Sequence, residues 1–182
     1  MKKIVFLFYF LIITTSNLFA IEINQKLDKL FSELKTSNQE NSFVIEQKIW
    51  RLWSTHPIDQ KLTLLLAQGS EAVNNNQLNE AINIFTKVIN LDPNWAEAWN
   101  KRATVLYLIG QYNKSQKDID KVLKIEKRHF GALAGQGLVN IKLRNYEKAI
   151  KSYKKALEIY PSMQSPEQMI KEIEALIKQE LI

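Results

Sequence analysis

An all-α solenoid built from paired helices is the architecture this sequence predicts, and three observations carry the prediction. The chain is 46% apolar but holds only 5 Gly and 4 Pro in 182 residues, too few turn residues for a sheet protein of this size. Residues 62–163 divide without gaps into three segments of 34 residues, and self-similarity at such a period marks stacked repeats. Small and large residues occupy the same columns in each segment, as two closely apposed helices require.

The elements follow in chain order. Residues 1–20 read as an export signal: Met1-Lys2-Lys3 is positive, Ile4 to Ile13 is unbroken apolar sequence, and TTSNLFA ends at Ala20. That is the order of a secretory signal, and the run is shorter than the about 20 residues needed to cross a bilayer. Leu18 stands at −3, where a small residue is preferred. Cleavage after Ser16 and retention as an uncleaved anchor are therefore both open. No cysteine occurs anywhere in the chain, which excludes lipidation of a new N-terminal cysteine, disulfides and thiolate metal sites.

Residues 21–61 predict a helical pair, a degenerate repeat. Leu27, Leu30, Phe31 and Leu34 mark one helix, and Ile45, Ile49 and Leu52 mark another within Phe43 to Ser54, with residues 38–41 as the turn and Pro57 beyond. Trp50 and Trp53 are expected to pack this pair onto the first full repeat, the alternative being an exposed docking patch.

Residues 62–95, 96–129 and 130–163 are the full repeats. Position 8 is small (Gly69, Ala103, Gly137), as is position 20 (Ala81, Ser115, Ala149). Positions 4 (Leu65, Trp99, Leu133), 17 (Leu78, Tyr112, Tyr146) and 24 (Phe85, Ile119, Tyr153) are large. Position 32 holds Pro93, Lys127 and Pro161, and proline stops a helix. Turns fall at NNNQ, GQ and RN. Residues 164–182 predict a capping helix: Ser165-Pro166-Glu167 opens it, and Met169, Ile170, Ile173, Leu176 and Ile177 form its apolar stripe. Solenoids need such a cap.

These columns resemble the tetratricopeptide repeat (TPR), in period, in the Trp99 aromatic position, in the small columns and in two of three terminal prolines. AEAWNKRATVLYLIGQY with RHFGALAGQGL also resembles a group of small exported Gram-negative TPR proteins. The resemblance implies a right-handed superhelix of helix-turn-helix units whose first helices line a concave groove. By the family's pattern that groove is faced by Thr63, Leu66, Ala67, Ser70, Val73 and Asn74; by Glu97, Asn100, Lys101, Thr104, Tyr107 and Leu108; and by Gly131, Ala134, Gly135, Leu138, Ile141 and Lys142. Some family members clamp a partner's terminal carboxylate with Lys and Asn; here Leu66, Ser70, Ala134 and Gly135 depart from that set, so such a clamp is not expected. The groove instead grades from polar at Asn100 and Lys101 to apolar at Ala134, Leu138 and Ile141, which suits a peptide with an apolar anchor and equally suits self-occlusion by the N-terminal helices.

Position 7 is polar in all three repeats: Gln68, Arg102 and Gln136. Either long stems cover the core with their heads at the rim, or the three form a hydrogen-bonded ladder. His56 and His129 lie at expected helix ends and share no metal-ligand spacing, so capping is the expected role. No phosphate loop or catalytic constellation is present in the sequence. No cofactor, metal or nucleic acid is expected: without Lys2 and Lys3 the net charge of +6 falls to about +4, which is mild. Basic residues along the second helices (Lys114, Lys117, Lys121, Lys124, Lys127 and Arg128; Lys148, Lys151, Lys154 and Lys155), interleaved with Asp118, Asp120, Glu126, Glu147 and Glu158, read as a solvated outer face, or as weak contact with an anionic envelope surface.

The sequence thus predicts a non-enzymatic scaffold in the periplasm that binds a protein or peptide in its groove. The alternatives are an envelope-surface organiser in wall or outer-membrane assembly, and a holding chaperone for exported chains. The partner and the oligomeric state are not specified by these residues.

Overall fold

The computed structural model describes residues 21–180; the expected signal segment, 1–20, lies outside them. The described residues are helical throughout: α1 over 21–36, α2 Gln39–Trp53, α3 Gln60–Asn74, α4 Leu78–Leu91, α5 Ala96–Leu108, α6 Tyr112–Ile125, α7 Phe130–Lys142, α8 Tyr146–Ile159 and α9 Gln164–Glu180. Helices α3 to α9 pack in sequence, each on the next, and α3, α5 and α7 also contact one another in turn. None of the described helices is long and apolar enough to cross a membrane.

Each turn within a repeat is the same structure written in different residues. Asn76, Gly110 and Arg144, all at position 15, adopt φ of 57°, 77° and 59°. The next amide then bonds back to the carbonyl five residues earlier: Gln77 to Ala72, Gln111 to Leu106 and Asn145 to Asn140, each at 2.8 Å. This left-handed C-cap suits Gly and tolerates Asn. Arg144 holds it at a cost of about 1 kcal/mol. The turns between repeats are equally regular. Asp92, Glu126 and Tyr160 end the second helices, and their amides bond to Val88, Val122 and Ala156 at 2.8–2.9 Å. Lys127 makes the same turn without the proline that its two equivalents, Pro93 and Pro161, supply.

The small columns are explained by what faces them. A Cβ on Gly69 would lie 2.4 Å from the Phe85 ring, and one on Gly137 would lie 2.5 Å from the Tyr153 ring. In the second repeat Ala103 packs instead in one cluster with the smaller Ile119. Helix volume is thus conserved across the pair, repeat by repeat. At the far end α9 begins at Gln164, one residue ahead of the Ser165 cap expected. It lays Met169, Ile170, Ile173 and Ile177 on Ala149 and Tyr153. Leu176, assigned to the same stripe, stays 41% exposed because it sits at the edge of the contact.

The N-terminal pair meets the first repeat, where the Trp53 carbonyl accepts from Trp95 Nε1 at 2.8 Å and Trp50 lines a cavity with Ser70 and Val73, but its core extends to the third. Leu27, Phe31, Leu34, Ile45, Ile49 and Trp53 form one core with Phe130, the first residue of α7, and Tyr160, the C-cap of α8. Arg128 bonds Asp28 at 2.6 Å and lies over the Phe31 ring at 4.5 Å. Its own Glu126 and Asp28 raise its pKa above the ordinary arginine value. Tyr160 donates to Glu46 at 3.1 Å, and burial, with Glu46 beside it, raises the Tyr160 pKa. The pair therefore runs beneath the inter-repeat turns. Bulk favours this placement: Phe31, Trp50 and Trp53 each meet the Phe130 ring, with centroids 5.2–6.5 Å apart.

Candidate functional site

The groove expected from the first helices is present, and α5 forms its central ridge. On one side of the ridge lies a cavity of about 310 Å³ lined by Ser70, Val73, Asn74, Asn100, Lys101 and Thr104. On the other side is a smaller one of about 70 Å³, lined by residues including Thr104, Tyr107, Gly135 and Leu138. Asn100 and Thr104 line both depressions, with Lys101 on one side of the ridge and Tyr107 on the other.

The expected groove residues divide into an accessible set and a buried one. Ala67, Asn74, Thr104, Leu108, Leu138 and Lys142 are exposed; Thr63, Ser70, Val73, Asn100, Lys101, Tyr107, Gly131, Ala134, Gly135 and Ile141 are half-buried. Tyr107 leans on Tyr112, with ring centroids 5.5 Å apart. Ala134 and Ile141 also pack on the Tyr153 cluster, so their outer faces alone meet the groove.

Two residues do not face a ligand. Leu66 is 2% exposed and belongs to the core of the first repeat. Glu97 is 1% exposed and organises the floor. Its Oε2 accepts from Asn100 at 3.0 Å and from His129 Nε2 at 3.1 Å, while Lys101 Nζ stands 3.4 Å from Oε1. A buried carboxylate requires such partners. Trp53 closes this cluster from below, stacked on the His129 ring at 4.0 Å and 6°. Lys101 is consequently a compensated cation rather than a free anchor.

His129 caps as expected, but not by charge. Its Nδ1 accepts from the Ala132 amide at 3.1 Å, so that nitrogen carries no proton and Nε2–H donates to Glu97. The ring sits at the N-terminus of α7, the end of the helix dipole that disfavours a cation. His56 uses the same arrangement: Nδ1 accepts from the Asp59 amide at 2.8 Å and Nε2 meets Asp92 at 2.9 Å. Among the described residues no three His, Asp or Glu side chains gather as a metal site.

Gln68, Arg102 and Gln136 form no ladder. Each of the latter two pairs sideways within its own repeat, with the residue sixteen positions on. Arg102 grips Asp118 with Nε–Oδ2 at 2.7 Å and Nη2–Oδ1 at 2.8 Å, and reaches Thr86 at 3.0 Å. Gln136 accepts from Ser152 at 2.9 Å. Ile84 occupies that place in the first repeat, and Gln68 is exposed. In the second and third repeats position 7 thus pairs with position 23.

Trp50 is a groove residue outside the expected set, and with it α2 occludes part of the groove, the alternative the apolar lining left open. It lines the larger cavity with Asn100 and Lys101, and a Cβ on Gly131 would lie 2.5 Å from its ring. Glu46 accepts from its Nε1 at 3.1 Å. Helix α2 thus places an indole in the half of the groove nearest the N-termini of α5 and α7. The half toward their C-termini stays open. Gly131 was the available signal: a helical glycine outside any turn marks a close approach.

The comparisons with known proteins agree with this geometry. Tetratricopeptide repeat family models match residues 62–94, 96–129 and 131–163. A TPR repeat-containing protein of Rhizobium etli is 33% identical over 147 residues, covering 80% of this chain and 72% of that protein. The mouse DnaJ homolog subfamily C member 7 is 26% identical over 115 residues; the match covers 63% of this chain and 23% of that longer protein. Among solved structures, the first TPR of Spaghetti (RPAP3), bound to the HSP90 peptide SRMEEVD, superposes with a TM-score of 0.64 at 21% identity. It covers 65% of this chain and 94% of its own.

Proposed function

This chain belongs to the tetratricopeptide repeat family, and we propose that it acts as a non-enzymatic adaptor, holding a peptide or an extended segment of a partner protein in the groove of α3, α5 and α7. One observation carries the reading. Leu108 and Leu138 remain 55% and 37% exposed, and Leu138 lines the cavity between α5 and α7 with Tyr107 beside the polar Asn100 and Thr104. Apolar side chains left accessible in a concave, polar-rimmed site mark a place where another chain is covered. The TPR domain that holds an HSP90 peptide supports a peptide as the class of ligand. The chemistry here differs from a carboxylate clamp: Lys101 is engaged by Glu97, and Ser70, Ala134 and Gly135 add no cation. The ligand is read by an apolar anchor between α5 and α7, with hydrogen bonds to Asn74 and Thr104. The signal-like character of residues 1–20 supports a periplasmic location in a Gram-negative cell.

Selection of a displayed peptide library on the full-length protein tests this. The reading expects a shared apolar anchor motif, and loss of binding in Leu108→Glu and Leu138→Glu with an unchanged circular dichroism spectrum. Peptides that bind both variants as well as the parent would remove the groove as the binding site.

A further inference from the structure

The outer faces of α6 and α8 carry a pattern the groove does not use. Lys114, Lys117 and Lys121 of α6 recur one repeat later as Lys148, Lys151 and Lys155 of α8. Spacings of three and four residues place each triad on a single helix face, along roughly 10 Å of axis. The two helices hold the same place in successive repeats, so the triads stand side by side as a grid, which Lys124 and Lys154 extend. All eight lysines are exposed. The ion pairs of the described residues involve none of them.

Neighbouring acids compensate the grid only in part, with three exposed carboxylates (Asp120, Glu147 and Glu158) among eight lysines. Asp118 is buried in its bond to Arg102, and Asp120 accepts from Gln116. Glu147 and Glu158 are the remaining carboxylates of these helices. Like charges at i and i+4, such as Lys117 with Lys121 and Lys151 with Lys155, work against a helix. The fold does not demand them: α4, their counterpart in the first repeat, has Glu80, Asn83 and Lys87 at the same positions.

The chemistry of the face selects its ligand. A protein partner is anchored by aromatic and apolar side chains that become buried. Here the one exposed large apolar residue of either helix is Ile125, at the end of α6. A lateral array of lysines without an anchor matches a lateral array of negative headgroups, which attracts each lysine near the surface independently and needs no pocket. We propose that the α6–α8 face docks this protein on an anionic phospholipid surface. The groove lies on the other side of these repeats, lined by α3, α5 and α7, and stays accessible in that orientation.

Sedimentation of the full-length chain with vesicles tests the proposal, using phosphatidylglycerol mixed with phosphatidylcholine against phosphatidylcholine alone. Because residues 1–20 are common to every variant, differences among variants report the folded face. Replacing Lys117, Lys121, Lys151 and Lys155 by Gln is expected to weaken binding to the anionic vesicles at least about tenfold and to flatten its salt dependence. A charge-matched variant with Lys35, Lys61, Lys87 and Lys178 replaced by Gln is expected to bind as the parent does. Equal losses in the two variants would reduce the effect to net charge and overturn the proposal. Undiminished binding by the grid variant would overturn it as well. Capture of soluble polyglutamate by a protein that leaves anionic vesicles unbound would assign the face to an acidic polymer instead, and would also overturn it.

Discussion

Replacing Arg102 by Leu removes the charged half of a contact that is mostly buried, with side-chain exposures of 18% for Arg102 and 7% for Asp118. Two parallel hydrogen bonds at 2.7 and 2.8 Å and a third to Thr86 disappear together, as does the stacking of the guanidinium over Trp99 at 5.0 Å. Breaking a fully buried pair from one side costs about 3–5 kcal/mol, because the remaining charge is stranded. The partial exposure of Arg102 lets water reach the site, which lowers the expected loss to about 2–3 kcal/mol. The double variant Arg102→Leu with Asp118→Leu strands nothing and is expected to lie within about 1 kcal/mol of the parent. The first repeat already lives with Gln68 and Ile84 at these two positions. Urea unfolding followed by far-UV circular dichroism measures all three proteins. With a slope of about 2 kcal/mol per molar, the single variant should lose about 1 M or more in midpoint. A single variant as stable as the parent, or a double variant no better than the single, would refute the reasoning.

Three other outcomes follow from the same geometry. Gly137→Ala should cost about 1–3 kcal/mol, since its Cβ meets the Tyr153 ring at 2.5 Å. Gly135→Ala, whose nearest neighbour is Ile119 Cδ1 at 3.8 Å, should stabilise by about 0.5–1 kcal/mol; thermal melts of the two variants should therefore move in opposite directions. Burial, aided by Tyr107 and Glu172, holds the Tyr153 hydroxyl above its ordinary ionisation range. The unfolded chain then loses this proton first, so stability should fall as pH rises beyond about 10, and Tyr153→Phe should blunt that fall. The buried hydroxyl has no hydrogen-bond partner, so the same variant should be at least as stable as the parent at pH 7 by urea titration.

The repeat was legible because packing columns are short-range. Position 8 against position 24, position 15 in the turn and position 31 at the helix end each depend on residues within one 34-residue unit. A period in the sequence therefore carries them directly. The ladder failed for the same reason in reverse: position 7 has a partner in position 23 of its own unit, and the Arg102–Asp118 pairing needed both columns read together. The docking of α1 and α2 depends on contacts a hundred residues apart, such as Asp28 with Arg128 and Ser42 with Tyr160. No period encodes these, and two tryptophans alone do not say which surface they cover. Glu97 was assigned to the groove because its position faces inward in the repeat; Trp53 and His129, arriving from two other elements, turned that position into floor.

The account rests on the open half of the groove being where a partner chain is held, with Trp50 closing the other half. Amide hydrogen exchange of the full-length protein, with and without a peptide selected on it, addresses this most directly. The account predicts slowed exchange at Thr104 to Leu108 and at Leu138 to Lys142, with little change along α6 and α8. Protection confined to α6, α8 or the N-terminal pair, with α5 and α7 unchanged, would contradict it.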